Sequence, residues 1–237
     1  MKFKTTTSIC IIVLSLIVIV TCLLLYRLVY ISNNQSFESF ESSTHPPYTI
    51  VAVNKEHIDE IVSMYVNEKI EGTVSASEYK NHIRHIIEYS QKHPIKVFSI
   101  AMIKPLNGEN KTIGFVTVNR SQDIIDRGYR VPYLSDLIVD KSFRKQGIAN
   151  KMLEYCENIC DNQWNEKYLY LWVKTDNESA IKLYYGRNYI PLHFAKGKMD
   201  TVQSVLNGIN VDQNYTLEEC MDASKEYDRI LFRKSLV

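Results

Sequence analysis

The stretch Tyr133 to Ala149, YLSDLIVD followed by KSFRKQGIA, constrains this chain more than any other. Its first half carries Leu134, Leu137, Ile138 and Val139, an apolar and partly β-branched run that predicts a strand. Its second half is a basic, glycine-containing loop leading directly into a predicted helix, Gly147 to Cys160. A strand, a loop of unpaired N–H groups and a helix N-terminus together form an anion site. The orphan amides point outward and the macrodipole adds positive potential. Arg144 and Lys145 place two full charges beside it, and Gly147, without a Cβ, lets backbone and ligand approach closely. The ligand chemistry that fits is a diphosphate.

With 237 residues, 45% of them hydrophobic, the chain can bury one domain of average size and still carry an appendage. A formal net charge of +1 argues against a nucleic-acid partner, for which a strongly basic surface is the usual footprint. The five cysteines follow neither a metal-binding nor a secreted-framework spacing. Cys156 and Cys160 lie four apart on the helix after the loop and are expected to be small core residues. His82, His85 and His93 lack a carboxylate or cysteine that would complete a ligand pattern, so they are expected as solvated or edge histidines and no metal is expected.

Residues 1–31 are read as an N-terminal transmembrane anchor. Thr5 to Tyr26 carries no charge, and these twenty-two residues as a helix span about 33 Å, enough for a bilayer core. A cleaved signal peptide fits less well: the apolar run is long, and Tyr26, Arg27 and Leu28 follow it in place of a small-x-small site. Residues 32–47, SNNQSFESFESSTHPP, read as a flexible Ser-rich linker, and residues 48–237 as the folded domain.

Within that domain the pattern predicts a strand at Tyr48–Val53, helices over Lys55–Lys69 and Ser77–Gln91, and a strand at Lys96–Ile103. A breaker-rich turn over Pro105–Asn110 leads to a returning strand at Thr112–Val118. Asn54 and Ser77 are the expected caps. A polar connection, Asn119–Arg130, precedes the strand and loop described first. Beyond them come a strand at Tyr168–Val173, a short helix at Asn177–Tyr185, a strand from Tyr189 to Phe194, a short helix at Asp200–Asn207 and a last strand at Asp228–Leu236. The order is that of a mixed α/β domain.

Two motifs together resemble the GNAT (Gcn5-related) N-acetyltransferase superfamily. Arg144-Lys145-Gln146-Gly147-Ile148-Ala149 fits its Arg/Gln-x-x-Gly-x-Gly/Ala helix start, and Asp136 to Asp140 resembles its fourth strand. Asn177-Glu178-Ser179-Ala180-Ile181-Lys182-Leu183-Tyr184 resembles its Asn-x-x-Ala-hydrophobic-x-Leu-Tyr helix. Asn188-Tyr189 stands where the family has Gly-Phe, a mild change because Asn tolerates the left-handed conformation. The resemblance implies a GNAT-like mixed, mainly antiparallel sheet flanked by helices, and transfer of an acetyl group from acetyl-CoA, a co-substrate, to a primary amine.

Carried over by residue, the resemblance implies that Leu137, Ile138 and Val139 hold the pantetheine arm and that Arg144, Lys145, Gln146, Gly147, Ile148 and Ala149 hold the diphosphate. Asn177 caps its helix and contacts the cofactor, and Tyr184 donates a proton to the leaving thiolate. A backbone N–H near Val139 would polarise the acetyl oxygen as an oxyanion hole does. Asp136 is the first candidate for the group that takes or binds the acceptor's ammonium, with His193 the other. Glu68, Glu71 and Glu78 are equally readable as a cation-attracting set or as a solvated acidic face. A non-catalytic acyl-CoA-binding module that recruits a partner to a membrane is the alternative.

Orientation is pulled two ways. Lys2 and Lys4 before the apolar run favour a cytoplasmic N-terminus with the domain on the far side. Asn177 would be a glycosylation acceptor in a lumen, where a glycan would block the cofactor site, and acetyl-CoA is mainly cytosolic. The domain is expected on the cytosolic face.

Overall fold

In a computed structural model, residues 48–67, 75–93, 97–120, 131–197, 205–206, 208–209 and 214–236 are described. The expected anchor and linker, Glu68 and Glu71, residues 121–130 of the polar connection and most of the Asp200–Asn207 helix lie outside these residues. Among the described residues, no helix is long and apolar enough to cross a membrane.

The longest hairpin turns on two residues. Asn107 and Gly108 adopt φ of 53° and 88°, the left-handed pair that a tight turn between right-twisted strands needs. They join β2 (Val97–Leu106) to β3 (Glu109–Asn119), so the turn is shorter than its breakers suggested. Pro105 is tolerated within β2 because β1 (Thr49–Ala52) pairs along β2 only as far as Ile103. Antiparallel pairing continues from β3 to β4 (Tyr133–Val139). The remaining strands are β5 (Tyr168–Lys174), β6 (Tyr189–Ala195) and β7 (Arg229–Ser235), and β7 inserts between β5 and β6. The sheet order is β1-β2-β3-β4-β5-β7-β6, with β4–β5 its one parallel pair. This is the expected mixed, mainly antiparallel sheet.

Two helices cover one face of its first half. α1 (Ile58–Asn67) is entered through a 3₁₀ turn at Lys55–His57 that Asn54 caps. α2 (Ala76–Lys92) is capped by Ser75, two residues before the expected Ser77. Ser75 Oγ accepts from the Glu78 amide at 3.2 Å, while the Ser75 amide donates to Glu78 Oε2 at 2.8 Å. Glu78 is therefore engaged in its own helix start. Under these helices Ile61, Met64, Ile83 and Ile87 pack on Ala101, Phe115 and Ile138.

The opposite face carries α3 (Ile148–Asn158) and α4 (Glu178–Gly186). Ile148, Met152, Cys156, Ile181 and Tyr184 pack there with Ile100, Met102, Val116, Leu134 and Val139. Cys156 and Cys160 are buried in this core, as expected of small apolar fillers. The helix after the loop ends earlier than its pattern suggested and closes in a π turn at Ile159–Gln163. A short helix, α5 (Leu217–Asp222), was not expected; its signal, the capping box of Thr216 and Glu219, stands in the sequence. Asn188 adopts φ of 62°, the conformation for which it substitutes for glycine.

Gly114 on β3 lets the first turns of α3 lie directly on the sheet. A Cβ there would stand 2.9 Å from Met152 Cε and 3.3 Å from Ile148 Cγ2, both in fully packed surroundings. Gly114→Val is expected to lower stability by about 1–3 kcal/mol, read by denaturant unfolding, through overpacking beneath α3.

Candidate active site

β4 holds one residue more than β3 can pair. Phe115 faces Ile138 and Thr117 faces Ser135, so two steps on β3 match three on β4. The extra length is absorbed at Asp136, whose φ of 57° is left-handed, a conformation that costs a non-glycine residue on the order of 1 kcal/mol or more. The bulge inverts the alternation of the strand. Leu134, Leu137 and Val139 join the core under α3 and α4, whereas Ile138 joins the core under α1 and α2.

Beyond the bulge β4 leaves its neighbour. The β4–β5 register consists of Tyr133 opposite Tyr170, next to a bond from the Tyr170 amide to the Pro132 carbonyl at 3.0 Å. Asp140 donates to the Ile113 carbonyl on β3 at 3.0 Å. By the alternation of an antiparallel ladder, Leu137 and Val139 therefore turn their N–H and C=O groups toward the side where β5 has parted. An extended, amide-bearing ligand arm can pair with such an edge.

The loop after β4 is built as a nest of backbone amides. Asp140 closes its start by accepting from the Ser142 amide at 2.9 Å and from Lys111 Nζ at 2.8 Å. A 3₁₀ turn at Lys141–Phe143 follows, and Arg144 Nε donates to the Val139 carbonyl at 3.1 Å, folding the loop back on β4. Lys145 and Gly147 both adopt left-handed backbone, with φ of 61° and 79°. Successive residues of this kind turn their N–H groups to one concave side. Gly147 occupies the N-cap of α3, no side chain caps the helix, and a Cβ at Gly147 would point into open space. The amides of Ile148 and Ala149 lie in the first turn, where no intrahelical acceptor exists. Arg144, Lys145 and Gly147 are exposed, Gln146 half-buried. The residues expected at the diphosphate thus form an exposed loop with left-handed backbone at Lys145 and Gly147, beside two basic side chains and the uncapped start of α3.

α4 stands beside α3 on the same face. Asn177 is its N-cap, its side-chain oxygen accepting from the Ala180 amide and from Ser179 Oγ, both at 3.1 Å. Tyr184 faces the core between Tyr189 and Phe232, with ring centroids 5.4 and 6.2 Å away. Burial pushes its phenol well above the usual tyrosine range, and Cys156 beside it adds to the shift. A network unread in the sequence locks α4 to α3. Glu157 takes a forked pair from Arg187, at 2.6 and 3.3 Å, and accepts from the Tyr189 hydroxyl at 2.9 Å. Lys234 on β7 donates to the Arg187 carbonyl at 2.6 Å. These charges are far apart in sequence, and only the fold brings them together.

Asp136 faces the opposite side of the sheet from Tyr184, toward α2. Its Oδ2 accepts from Ser135 Oγ at 2.9 Å, and His82 Nε2 lies 3.5 Å away. His82, expected as a solvated or edge histidine, is exposed as expected and also faces Asp136; a single polar residue on a helix gave no sign of the strand it would meet. His193 lies on β6 with its ring edge-on to Trp172 at 6.4 Å, separated from β4 by two strands. The structure joins Asp136 to His82 and not to His193. Among the described residues no group of three metal-ligating side chains is found.

Burial raises the Asp140 carboxyl, but the bonds from Lys111 and the Ser142 amide outweigh it and hold the group below its usual range. A depressed folded value contributes stability above the unfolded value and loses it as pH falls through the folded one. Asp140→Asn is therefore expected to lower the melting temperature at pH 7, and the difference from wild type is expected to shrink as pH falls below about 4 and to vanish once pH has passed the lower folded value. Thermal melts across pH check this.

Residues 78–187 match the sequence profile of the Acetyltransferase (GNAT) family. An N-alpha-acetyltransferase of Caenorhabditis elegans, daf-31, is 28% identical over 76 residues, 32% of this chain and 41% of that protein; the chain thus matches less than half the length of that relative. The fold is similar to a GNAT-family acetyltransferase of Staphylococcus aureus Mu50, at 15% identity and a TM-score of 0.54 over 80% of this chain and 99% of that one. It is also similar to the spermidine N-acetyltransferase of Vibrio cholerae in complex with CoA and spermine, at 16% identity and a TM-score of 0.51 over 80% and 95% of the two chains. YncA of Salmonella typhimurium with acetyl-CoA gives 13% identity and a TM-score of 0.52 over 80% and 94%. At these identities the structures speak for the fold, and the profile match speaks for residues 78–187. The parted β4, the loop over Lys145–Ala149 and the Asn177 helix all lie within the stretch, residues 78–187, that matches the Acetyltransferase (GNAT) family profile, and the fold around them is GNAT-like.

Proposed function

We propose that the chain transfers an acetyl group from acetyl-CoA to a primary amine, and that residues 5–26 tether this activity to a membrane. The observation that carries the reading is the joining of two motifs on one face of the sheet. The amide nest of Lys145–Ala149 and the Asn177-capped helix flank the edge from which β5 has parted. A thioester donor with a diphosphate and an amide-bearing arm matches both. The donor supplies an activated acetyl carbon; this chain's residues hold it, exclude water and manage two protons.

Arg144, Lys145 and the amides of Gly147, Ile148 and Ala149 hold the diphosphate. Leu137 and Val139 pair with the arm through their backbone. The Tyr184 phenol, raised by burial, stays protonated through the physiological range and donates to the leaving sulfur. A thiolate kept out of water is itself more basic than in solution, which brings donor and acceptor closer in proton affinity. On the other side of β4, Asp136 meets the incoming amine. The cationic acceptors of the Vibrio cholerae relative, solved with spermine, make polyamines a first choice beside peptide N-termini. Tethering rests on the uncharged run Thr5–Tyr26, and the acetyl-CoA supply favours a domain on the cytosolic face.

Release of free thiol from acetyl-CoA by the full chain, against polyamines, amino acids, aminoglycosides and peptide N-termini, tests the proposal. Transfer to at least one amine is expected. Tyr184→Phe is expected to lower kcat by ~10²-fold or more. Acetyl-CoA binding without transfer to any amine would instead indicate a binding module.

A further inference from the structure

We propose that His82 is a positioning residue for Asp136, and that the pair forms the seat of a cationic acceptor amine. The inference rests on the acetyl-transfer reading above. Asp136 sits in a left-handed bulge, so its carboxylate is aimed by the backbone and not by the ordinary alternation of β4. The side chain is only 17% exposed. Its two oxygens are not equivalent. Oδ2 accepts from Ser135 Oγ at 2.9 Å and faces His82 Nε2 at 3.5 Å. Among the described residues no donor meets Oδ1. One oxygen is held and the other is offered.

The wall beside the pair is rigid and neutral. Tyr79, one helical turn before His82 on α2, is buried and stacks on Tyr65 of α1, with centroids 3.6 Å apart and planes 13° from parallel. Its ring lies 6.0 Å from that of His82. Burial raises the Tyr79 phenol far above its usual range, and the Asp136 charge adds to that. On α1, Glu60 is engaged by the Thr112 amide at 2.9 Å, and Asp59 is paired with Lys80 of α2. On β3, Thr117 opposite Ser135 is engaged with Ser99 at 3.1 Å. Asp136 is the unneutralised carboxylate of this group, and His82 is its titratable neighbour.

Two states follow. A neutral imidazole with its proton on Nε2 donates to Oδ2 and leaves the carboxylate its full charge for the ammonium. An imidazolium neutralises that charge and competes with the acceptor. Acceptor binding should strengthen as pH rises through the His82 titration, with the chemical step left to Tyr184 and the donor site. The effect belongs in the acceptor's KM and not in kcat or in the KM for acetyl-CoA.

The test is steady-state thiol release by the full chain between pH 5.5 and 8.5, with a primary amine that the wild type acetylates. His82→Gln keeps a donor without a titration, and His82→Phe removes the donor. The wild-type KM for the amine is expected to fall by about tenfold more across this range than that of His82→Gln, since the amine's own titration is common to both. His82→Phe is expected to raise that KM about tenfold at pH 8, with His82→Gln restoring most of it and kcat changed less than threefold. The same pH profile in wild type and His82→Gln, or losses that fall on kcat or on the acetyl-CoA KM, would overturn the role of His82. Absence of thiol release by the wild type with every amine would overturn the transfer reading itself, and the seat with it.

Discussion

An unpaired residue in one strand sets up the candidate site. β3 and β4 run antiparallel, and the extra length at Asp136 has nowhere to go but outward. A bulge of this kind bends its strand and increases its twist. Its position, between the start of β4 that still pairs with β5 and the end that does not, makes it the point where the sheet opens. The left-handed backbone at Asp136 costs free energy, and the surrounding ladder and core hold it in place. Were the extra residue paired and not bulged, the alternation from Leu134 would place Leu137 and Val139 on the face that Ile138 now takes.

Everything on the donor side follows from keeping that opening shaped. Gly114 brings α3 close to the sheet, so that its N-terminus stands at the end of β4. Asp140 and Arg144 fold the connecting loop back on the strand, which points its amides to one side. Glu157 gathers Arg187 and Tyr189, so α3 and α4 form one shelf. The Glu157 pair is well shielded and fully hydrogen-bonded, the condition under which a buried pair holds geometry and its loss leaves a stranded charge. The shelf places Tyr184 in an apolar setting that keeps its phenol protonated.

The sheet itself separates two kinds of chemistry. The face with α3 and α4 offers amides, cations and a protonated phenol, which suits an anionic donor and its leaving thiolate. The face with α1 and α2 offers one partly buried carboxylate beside a stacked pair of tyrosines and His82, which suits a cation. β4 contributes to both because successive side chains of a strand point to opposite faces, Ile138 to one and Leu137 and Val139 to the other.

The sequence by itself determined the order of the strands and of α1 to α4, the mixed sheet and the basic, glycine-containing loop before α3. Each depends on short-range chemistry: branched runs that prefer strands, Asn54 and Asn177 as caps, Asn188 at a left-handed position, and a Gly-containing basic loop before an apolar helix. The uncharged run Thr5–Tyr26, expected as an anchor, is a local signal of the same kind and lies outside the described residues. Tertiary structure alone decided which polar residues meet. His82 of α2 meets Asp136 in the bulge of β4 only through the fold. Glu78 was turned to its own cap by Ser75, and His193 was carried two strands away by the insertion of β7. Glu157, Arg187 and Lys234 became one network across α3, α4 and β7. Contacts of this kind depend on the register and crossing of elements that lie far apart in the chain. A one-residue change in register, such as the bulge at Asp136, is enough to reassign them.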